Sequence, residues 1–567
     1  MREFEKGVLD VLLSGSDIIV KTLIEQGCDT VFGYPGGQIL NVYDSLYKYQ
    51  DEINHVLTAH EQGATHAADG YARVTGKVGV VISTSGPGAT NLVTGIATAY
   101  LDSIPMVAIC GNVPTTQIGT DSFQEIDITG VTLPITKHNY FVGSVEDLAD
   151  TIREAFKLAK SGRPGPVLID VPKDVQINKC EYEAEVPVEK DEPFAAKDVR
   201  VIEAAKIVNS AKRPFIYFGG GVITADAQSE MLTLAEKIDA PIGCSLMGLS
   251  GVPTDHPRFL GMQGMHGHFA SSMSMHNADV ILSLGVRFND RVTGNRSKFA
   301  LGAKIVHIDV DGSELNKTVN SVCGLRGDVK LTLQKLLPLL DEDKKEEWMK
   351  KVDDFRKEEE TYLDNREGLT PRRAILTLNK HLGENTAVCT DVGQHQMWSA
   401  QSLNFKTSRR FSSSGGLGTM GYGFGAAIGA AYGTKERSVL ITGDGSFGMN
   451  LNELATAVRY NVPVVVIIMN NGVLGMVRQW QTLFYDKHYS NSVLQRKTDF
   501  AAFARSFGAD GEAVTTPEEL DEALAKAFKT EGPYIIDCKI DKDEFVLPML
   551  PPGGSMDDII TKLEVEL

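Results

Sequence analysis

The sequence predicts an α/β fold: three doubly wound α/β domains with mainly parallel sheets. One observation is a set of short apolar runs, among them Val167-Leu168-Ile169-Asp170-Val171-Pro172, Val280-Ile281-Leu282-Ser283-Leu284-Gly285 and Ser438-Val439-Leu440-Ile441-Thr442. Such runs read as strands covered on both faces, which is the habit of parallel sheets. A second is that helical patterns separate the strands, as parallel crossovers require. A third is length: 567 residues exceed what one core can hold, and the usual prior gives about three or four domains.

The pattern from Ser16-Asp17-Ile18-Ile19-Val20 to Gly27 predicts a capped helix, and Thr30-Val31-Phe32-Gly33 the strand after it. Alternation continues to Pro172, so residues from about 12 to 180 form one unit inside a first domain at 1–185. The charged, proline-containing stretch Glu181 to Pro193 is a linker. The second unit, residues 194–340, has its clearest strands at Phe215-Ile216-Tyr217-Phe218-Gly219, at Val280 to Gly285 and at Lys304-Ile305-Val306-His307-Ile308-Asp309. Residues 341–370 form a connector, and the almost wholly charged run Asp341 to Arg366 predicts an exposed helix. The third unit covers 371–547. The tail, 548–567, contains Pro551-Pro552-Gly553-Gly554, which cannot continue a helix, and is too short for a small-molecule regulatory fold. No short-period repeat is present, although three units of similar size are compatible with distant duplication.

Composition narrows the function. An apolar share of 42% and a charged share of 23% are ordinary for a soluble protein. A formal net charge of −18 offers no basic face for nucleic acid, so an anionic substrate would need local Arg or Lys. Seven scattered cysteines without a C-x-x-C pair suggest neither zinc nor a disulfide framework, and point to a reduced, cytoplasmic setting. The first apolar run, Val8 to Leu13, is broken by Asp10, so no signal peptide or membrane span is expected.

The chain is organised around Gly443 to Asn471. Gly443-Asp444-Gly445-Ser446 follows the strand Ser438 to Thr442, and the two glycines let backbone approach a bulky group where that strand ends. Open parallel sheets bind phosphates at such ends. Asp444 and Asn471 lie 27 positions apart, room for a helix through Leu451 to Tyr460 and a return strand Val462 to Met469. Both oxygen-bearing side chains then reach neighbouring strand ends. A carboxylate and an amide oxygen suit Mg2+, which completes its shell with diphosphate oxygens and water.

In the first unit, Ala59-His60-Glu61-Gln62-Gly63-Ala64 precedes Ala67-Ala68-Asp69-Gly70-Tyr71-Ala72-Arg73, which has helical spacing. From spacing alone, Glu61 is a helix-start charge. Thr84-Ser85-Gly86-Pro87-Gly88-Ala89-Thr90-Asn91 reads as a strand end, a tight turn and a helix entry that places backbone against a flat ring. In the middle unit, Gly219-Gly220-Gly221 is a weak dinucleotide signal without G-x-G-x-x-G. Met265-His266-Gly267-His268 with His276 is a weak metal signal, since no carboxylate pattern accompanies it.

The segment Gly443 to Asn471 resembles the thiamine diphosphate motif. Phe32-Gly33-Tyr34-Pro35-Gly36-Gly37, His60-Glu61-Gln62-Gly63, Thr84 to Asn91, Gly119-Thr120-Asp121-Ser122-Phe123-Gln124-Glu125, Gly415-Gly416-Leu417-Gly418-Thr419-Met420-Gly421-Tyr422-Gly423 and Gln479-Trp480-Gln481 extend the likeness. Over nearly its whole length the sequence resembles the catalytic subunits of the acetohydroxyacid synthase (acetolactate synthase) family. Arg287-Phe288-Asn289-Asp290-Arg291-Val292-Thr293-Gly294 is similar to the family's flavin signature, which flavin-free catabolic acetolactate synthases lack.

The resemblance implies two thiamine diphosphate domains flanking a central FAD domain. It implies Glu61 against the aminopyrimidine ring, beside Pro87 and Asn91, and Met420 in the bend of the cofactor, next to Gly418. The diphosphate would sit on Gly443, Asp444, Gly445 and Ser446, with Val392, Gly393, Gln394 and His395 closing over it, and Asn471, Val473, Leu474, Gly475 and Met476 at the neighbouring strand end. Asp444, Asn471 and Val473 would hold the metal. FAD would contact Arg163, Gly219, Gly220, Gly221, Ser245, Leu246, Met265, His266, Gly285, Arg287, Arg291, Asp309 and Asp328. The catalytic set by resemblance is Glu61, Gln124, Lys173, Arg291, Met420 and Trp480, with Gly37, Pro105 and Phe123 also in the substrate funnel.

The implied reaction is decarboxylation of pyruvate and transfer of its two-carbon unit to pyruvate or 2-ketobutyrate, giving 2-acetolactate or 2-aceto-2-hydroxybutyrate for branched-chain amino acid synthesis. A homodimer is the smallest unit the family uses, a dimer of dimers is compatible, and a regulatory module would be a separate small subunit. The tail is expected to act as an active-site lid. Asn289 stands where the family usually has Asp, Gln38 where a small residue is common, and Phe424-Gly425 where Leu-Pro is common. Pyruvate oxidase would use the same cofactors with electron transfer. Glyoxylate carboligases have an aliphatic residue in place of Glu61. A non-catalytic nucleotide-binding or scaffold protein is the alternative from another class.

Overall fold

The computed structural model describes residues 11–562. The apolar run Val8 to Leu13 and the end of the tail therefore lie partly outside the described residues. Two compact units are present. The first comprises the chain up to Asp191 together with Gly416–Ser438 and Asn450–Val464; the second comprises Glu192–Gly415, Val439–Met449 and the chain from Val465.

The first sheet consists of β1 (Thr30–Gly33), β2 (Asn54–Leu57), β3 (Gly79–Ser83), β4 (Met106–Asn112), β5 (His138–Phe141) and β6 (Pro166–Pro172). Its order is β2-β1-β3-β4-β6-β5, and the pairs are parallel. Every residue of β3, β4 and β6 is buried, because alternate side chains enter separate cores on the two faces. Val80, Ile82, Val107 and Ile109 face one core, while Val81, Ala108 and Leu168 face the other. The predicted first helix spans Gly15–Glu25, and Ser14 Oγ accepts from the Asp17 amide at 3.2 Å.

Two helices of this unit pack backbone against backbone: α1 (Glu61–Thr75) and α2 (Gly423–Thr434). A β-carbon on Gly70 would lie 2.1 Å from the Ala426 carbonyl oxygen, and one on Gly429 only 1.8 Å from that of Ala67. Small residues at the crossing are thus a steric requirement.

The second unit carries two sheets. One contains β7 (Pro214–Phe218), β8 (Ile242–Cys244), β9 (Phe259–Met262), β10 (Val280–Leu284), β11 (Lys304–Asp309) and β12 (Cys323–Arg326) in the order β9-β8-β7-β10-β11-β12. That order belongs to dinucleotide-binding folds, with its switch point between β7 and β10. The other contains β13 (Ala387–Thr390), β14 (Phe411–Ser412), β15 (Ser438–Gly443), β16 (Val464–Asn470), β17 (Asp510–Val514) and β18 (Tyr534–Lys539) in the order β14-β13-β15-β16-β18-β17. This repeats the topology of the first sheet strand for strand.

Two expectations are corrected. The helix after β15 starts at Asp444 rather than Leu451, runs to Asn450 and continues through a 3₁₀ turn into Leu454–Arg459. The connector helix, Glu346–Glu360, is not simply exposed: Trp348, Val352 and Phe355 form a buried stripe, and Trp348 Nε1 donates to the Pro214 carbonyl at 3.0 Å. The tail makes backbone bonds within its unit, with Leu550 N–H donating to Met265 and Asn295 N–H to Gly554. Among the described residues, no helix is long and apolar enough to cross a membrane.

Candidate active site

In the first unit the site gathers at the carboxyl ends of β1, β2, β3 and β6, around the switch point of that sheet. Glu61 is the first residue of α1, and its Oε2 accepts from Asn91 Nδ2 at 3.0 Å. The turn after β3 brings Pro87 and Gly88 alongside, where a β-carbon on Gly88 would stand 3.2 Å from Glu61 Oε1. Gly86 adopts φ +59°, and Gln124, itself at φ +63°, covers it closely enough that a β-carbon there would meet Gln124 Cβ at 2.9 Å. Lys173 Nζ donates to the Gly37 carbonyl at 3.1 Å. Phe123 is 83% exposed, unusual for an aromatic unless something else covers it. Glu61, Pro87, Asn91 and Gln124 are thus brought together, with Lys173 beside Gly37. Arg163 belongs to this unit, where its Nε donates to Ser103 Oγ at 2.8 Å.

The segment that carries Gly418 and Met420 is fixed in the same unit by bonds that no sequence motif announces. Gly416 N–H donates to Asp102 Oδ1 at 2.7 Å, Thr98 and Thr419 hydroxyls pair at 2.7 Å, and Tyr422 OH donates to Asp69 Oδ1 at 2.7 Å. Arg73 bridges both acids, with Nη2 donating to Asp102 at 2.9 Å. Asp69 and Arg73 were legible only as parts of a helical pattern.

In the second unit, β13 and β15 are neighbours at a switch point, and their ends present Val392 to His395 and Gly443 to Ser446. Ser446 Oγ donates to the Val392 carbonyl at 3.0 Å, and Thr442 Oγ1 to Asp391 Oδ2 at 2.7 Å. His395 is buried against Gly443, and burial pushes its imidazole down to about 3, leaving a neutral ring whose Nε2 has no partner. Burial pushes Asp444 up to about 6, with Asp537 adding repulsion. Asn471 follows β16, its Oδ1 accepting from the Val473 amide at 3.2 Å and its Nδ2 donating to Gln394 Oε1 at 3.4 Å. Gln394 Nε2 in turn donates to Gln479 Oε1 at 2.9 Å and to the Glu544 carbonyl at 2.7 Å. Leu474 N–H donates to Ser492, and Gly475 and Met476 open the helix Gly475–Phe484 that bears Trp480.

The residues present fit a diphosphate with a hard cation. A buried acid, an amide and a backbone turn supply oxygen donors, and the unpartnered His395 nitrogen offers a polar atom for a ligand.

At the other switch point of this unit, Gly219 to Gly221 follow β7 and Gly285 follows β10. Gly221 N–H donates to the Gly285 carbonyl at 3.0 Å, and a β-carbon on Gly221 would lie 2.6 Å from Gly285 Cα, so the two turns pack backbone against backbone and glycine is a steric requirement at Gly221. Ser245 and Leu246 continue from β8, and Arg287 from β10. Asp309 Oδ1 accepts from the Asp311 amide, and Asp328 Oδ1 caps the helix Val329–Leu336 through Leu331 N–H at 3.0 Å. His266 is buried, pushed down to about 4, and its Nε2 lacks a partner. Met265 N–H donates to the Arg291 carbonyl, and the Arg291 guanidinium stands 5.8 Å from the Trp480 ring centroid. Asn289 starts the turn Asp290–Thr293 through its carbonyl, which accepts from Val292 and Thr293, while its side chain makes no capping bond.

Three family descriptions match the chain. They are Thiamine pyrophosphate enzyme, N-terminal TPP binding domain over residues 13–131; Thiamine pyrophosphate enzyme, central domain over 201–336; and Thiamine pyrophosphate enzyme, C-terminal TPP binding domain over 391–538. Among its relatives, the probable acetolactate synthase large subunit of Methanocaldococcus jannaschii is 45% identical over 98% of this chain and 96% of its own length. The acetolactate synthase isozyme 3 large subunit of Escherichia coli is 42% identical over 97% and 98%, and that of Corynebacterium glutamicum, an acetolactate synthase large subunit, 44% over 96% and 90%. With its three domain matches and this full-length likeness, the chain belongs to the acetolactate synthase large-subunit family of thiamine diphosphate enzymes.

Proposed function

We propose that the chain decarboxylates pyruvate and joins the two-carbon unit to a second 2-oxo acid, pyruvate or 2-ketobutyrate. The observation that carries this reading is Glu61, held by Asn91 on the first turn of α1 with its other oxygen against Gly88. When bound, thiamine diphosphate supplies a nucleophilic carbon and an electron-accepting ring that makes loss of CO2 feasible. Glu61 holds and passes a proton through its free oxygen, as a positioned general acid and base does. Met420 would pack against the cofactor, and Asp444, Asn471 and Val473 would hold a Mg2+ that neutralises the diphosphate. Arg291 meets the acceptor carboxylate with two parallel donors, and Trp480 walls the acceptor side.

FAD is proposed at the glycines and arginines of the β7/β10 switch point, where the strand order supports a dinucleotide. A homodimer, a separate small regulatory subunit, a cytoplasmic setting and a lid role for residues 548–567 complete the proposal. The large-subunit names of the relatives support the small partner. Incubating the protein with pyruvate, Mg2+ and thiamine diphosphate tests the activity: acetolactate is expected, whereas oxygen uptake without it would indicate an oxidase.

A further inference from the structure

Gln479 stands beside Trp480 in the sequence without a role of its own, yet its side-chain amide is saturated with hydrogen bonds. It is buried on the helix Gly475–Phe484. Its Oε1 accepts from the Val546 amide and from Gln394 Nε2, both at 2.9 Å. Its Nε2 donates to the Val546 carbonyl at 3.2 Å and to Met549 Sδ at 3.4 Å. Gln394, also buried, uses its two Nε2 hydrogens on Gln479 and on the Glu544 carbonyl, so its side chain has none left for a diphosphate oxygen. Its Oε1 accepts from Asn471 Nδ2 at 3.4 Å.

The direction of this chain of amides is forced. Because the Val546 N–H needs an acceptor, Gln479 turns its oxygen to that side, Gln394 must then offer Nε2 to it, and Gln394 Oε1 is left facing Asn471. Asn471 answers with Nδ2, which leaves Oδ1 as the atom available to a cation. Turning any one amide over would set donor against donor or oxygen against oxygen in a buried place, where an unmet group is costly. Gly475 makes the room: a β-carbon there would stand 2.0 Å from Gln394 Oε1 and 2.9 Å from Asn471 Nδ2. At the other end, the strap Glu544–Met549 is the root of the tail. Met549 exchanges backbone bonds with Ile560 at 2.9 and 2.8 Å, and Leu550 N–H donates to the Met265 carbonyl at 2.7 Å.

We infer that Gln394 and Gln479 are positioning residues forming an amide relay, which sets the Asn471 oxygen for a cation and ties that setting to the seating of the strap Glu544–Met549. This rests on reading Asn471 as a Mg2+ ligand.

Two variants of the full-length chain cut the relay at opposite ends. Gly475→Ala pushes the tip of the Gln394 side chain off Asn471, and because that tip is flexible the fold is kept. Without any added cofactor, hydrogen exchange at the Val546 amide should then quicken roughly tenfold or more, the scale of a lost buried partner. Gln479→Met keeps an unbranched side chain and removes the amide. The Mg2+ concentration for half-saturated thiamine diphosphate binding, read by calorimetry rather than turnover, should rise by a similar factor. Val546 exchange in Gly475→Ala equal to wild type would overturn the relay. So would a Gln479→Met chain whose Val546 exchange quickens while its Mg2+ titration stays in place, the mark of a merely structural residue. Gly475→Ala decides the matter even if Gln479→Met does not fold. Mg2+-dependent binding by wild type is scored separately: its absence refutes Asn471 as a ligand, whereas Val546 exchange in the cofactor-free chain tests the relay itself.

Discussion

Gly429→Ala probes the helix pair that underlies the first unit. The added β-carbon would stand 1.8 Å from the Ala67 carbonyl oxygen, 2.6 Å from its carbon and 2.9 Å from Ala67 Cα. All three are backbone atoms, so no rotamer change relieves the clash, and α2 must move away from α1 by more than about 1 Å to restore ordinary contact. Replacing glycine by alanine inside a helix would by itself gain ~0.8–1.0 kcal/mol. Overpacking costs ~1–3 kcal/mol and is expected at or above the top of that range against rigid backbone. The net loss is then about 2 kcal/mol, or roughly 4–8 °C in the unfolding midpoint of this unit. Gly433→Ala, on the same helix, first meets the methyls of Val74 and Thr75 at 2.6 and 2.9 Å, which can yield. Its loss should stay below about 1 kcal/mol. Calorimetry of the two variants settles the matter: a Gly429→Ala midpoint at or above wild type would refute the packing argument.

Three further expectations concern single residues. Asp444→Ala should abolish Mg2+-dependent turnover, and retained turnover with unchanged Mg2+ titration would remove Asp444 from the metal set. Trp480→Leu should stay folded, since Trp480 is only half-buried and its Nε1 has no partner, yet lose most of its preference for 2-ketobutyrate. One methylene in an apolar pocket is worth ~1–3 kcal/mol, or roughly 10–200-fold, in a mixed-substrate competition, and an unchanged product ratio would exclude the role. Asp170 is buried in β6 with Oδ2 accepting from Asn112 at 2.7 Å and Oδ1 unpartnered, and burial pushes it up to about 7. Its stabilising contribution is present at low pH and lost as pH rises through 7, so Asp170→Asn should gain on wild type by up to ~4 kcal/mol between pH 4 and 8; parallel profiles would count against it.

Much of this was legible because apolar runs do not depend on distant partners. Val280 to Leu284 and Lys304 to Asp309 are strands as expected, since a strand covered on both faces must be apolar throughout. The glycines at 219–221 and 285 announced a bare backbone, and the strand order then placed them at one switch point. Local propensity failed where tertiary packing overrode it. The spacing predicts a helix only through Leu451 to Tyr460, yet helix starts at Asp444 because the chain leaves β15 directly into it. The connector hid Trp348, Val352 and Phe355 among charges, although their spacing of four and three is a helical stripe. The shared strand order of the first and third sheets left no short-period repeat to find.

The most direct test of the account is acetolactate formation from pyruvate by wild type and Glu61→Gln, each with thiamine diphosphate and Mg2+, while oxygen is monitored. The account predicts that wild type forms acetolactate only with both additions and consumes no stoichiometric oxygen. It predicts that Glu61→Gln is slower by ~100 to 10,000-fold, the usual contribution of a general acid and base. Pyruvate-dependent oxygen uptake in place of acetolactate, or a Glu61→Gln rate equal to wild type, would contradict it.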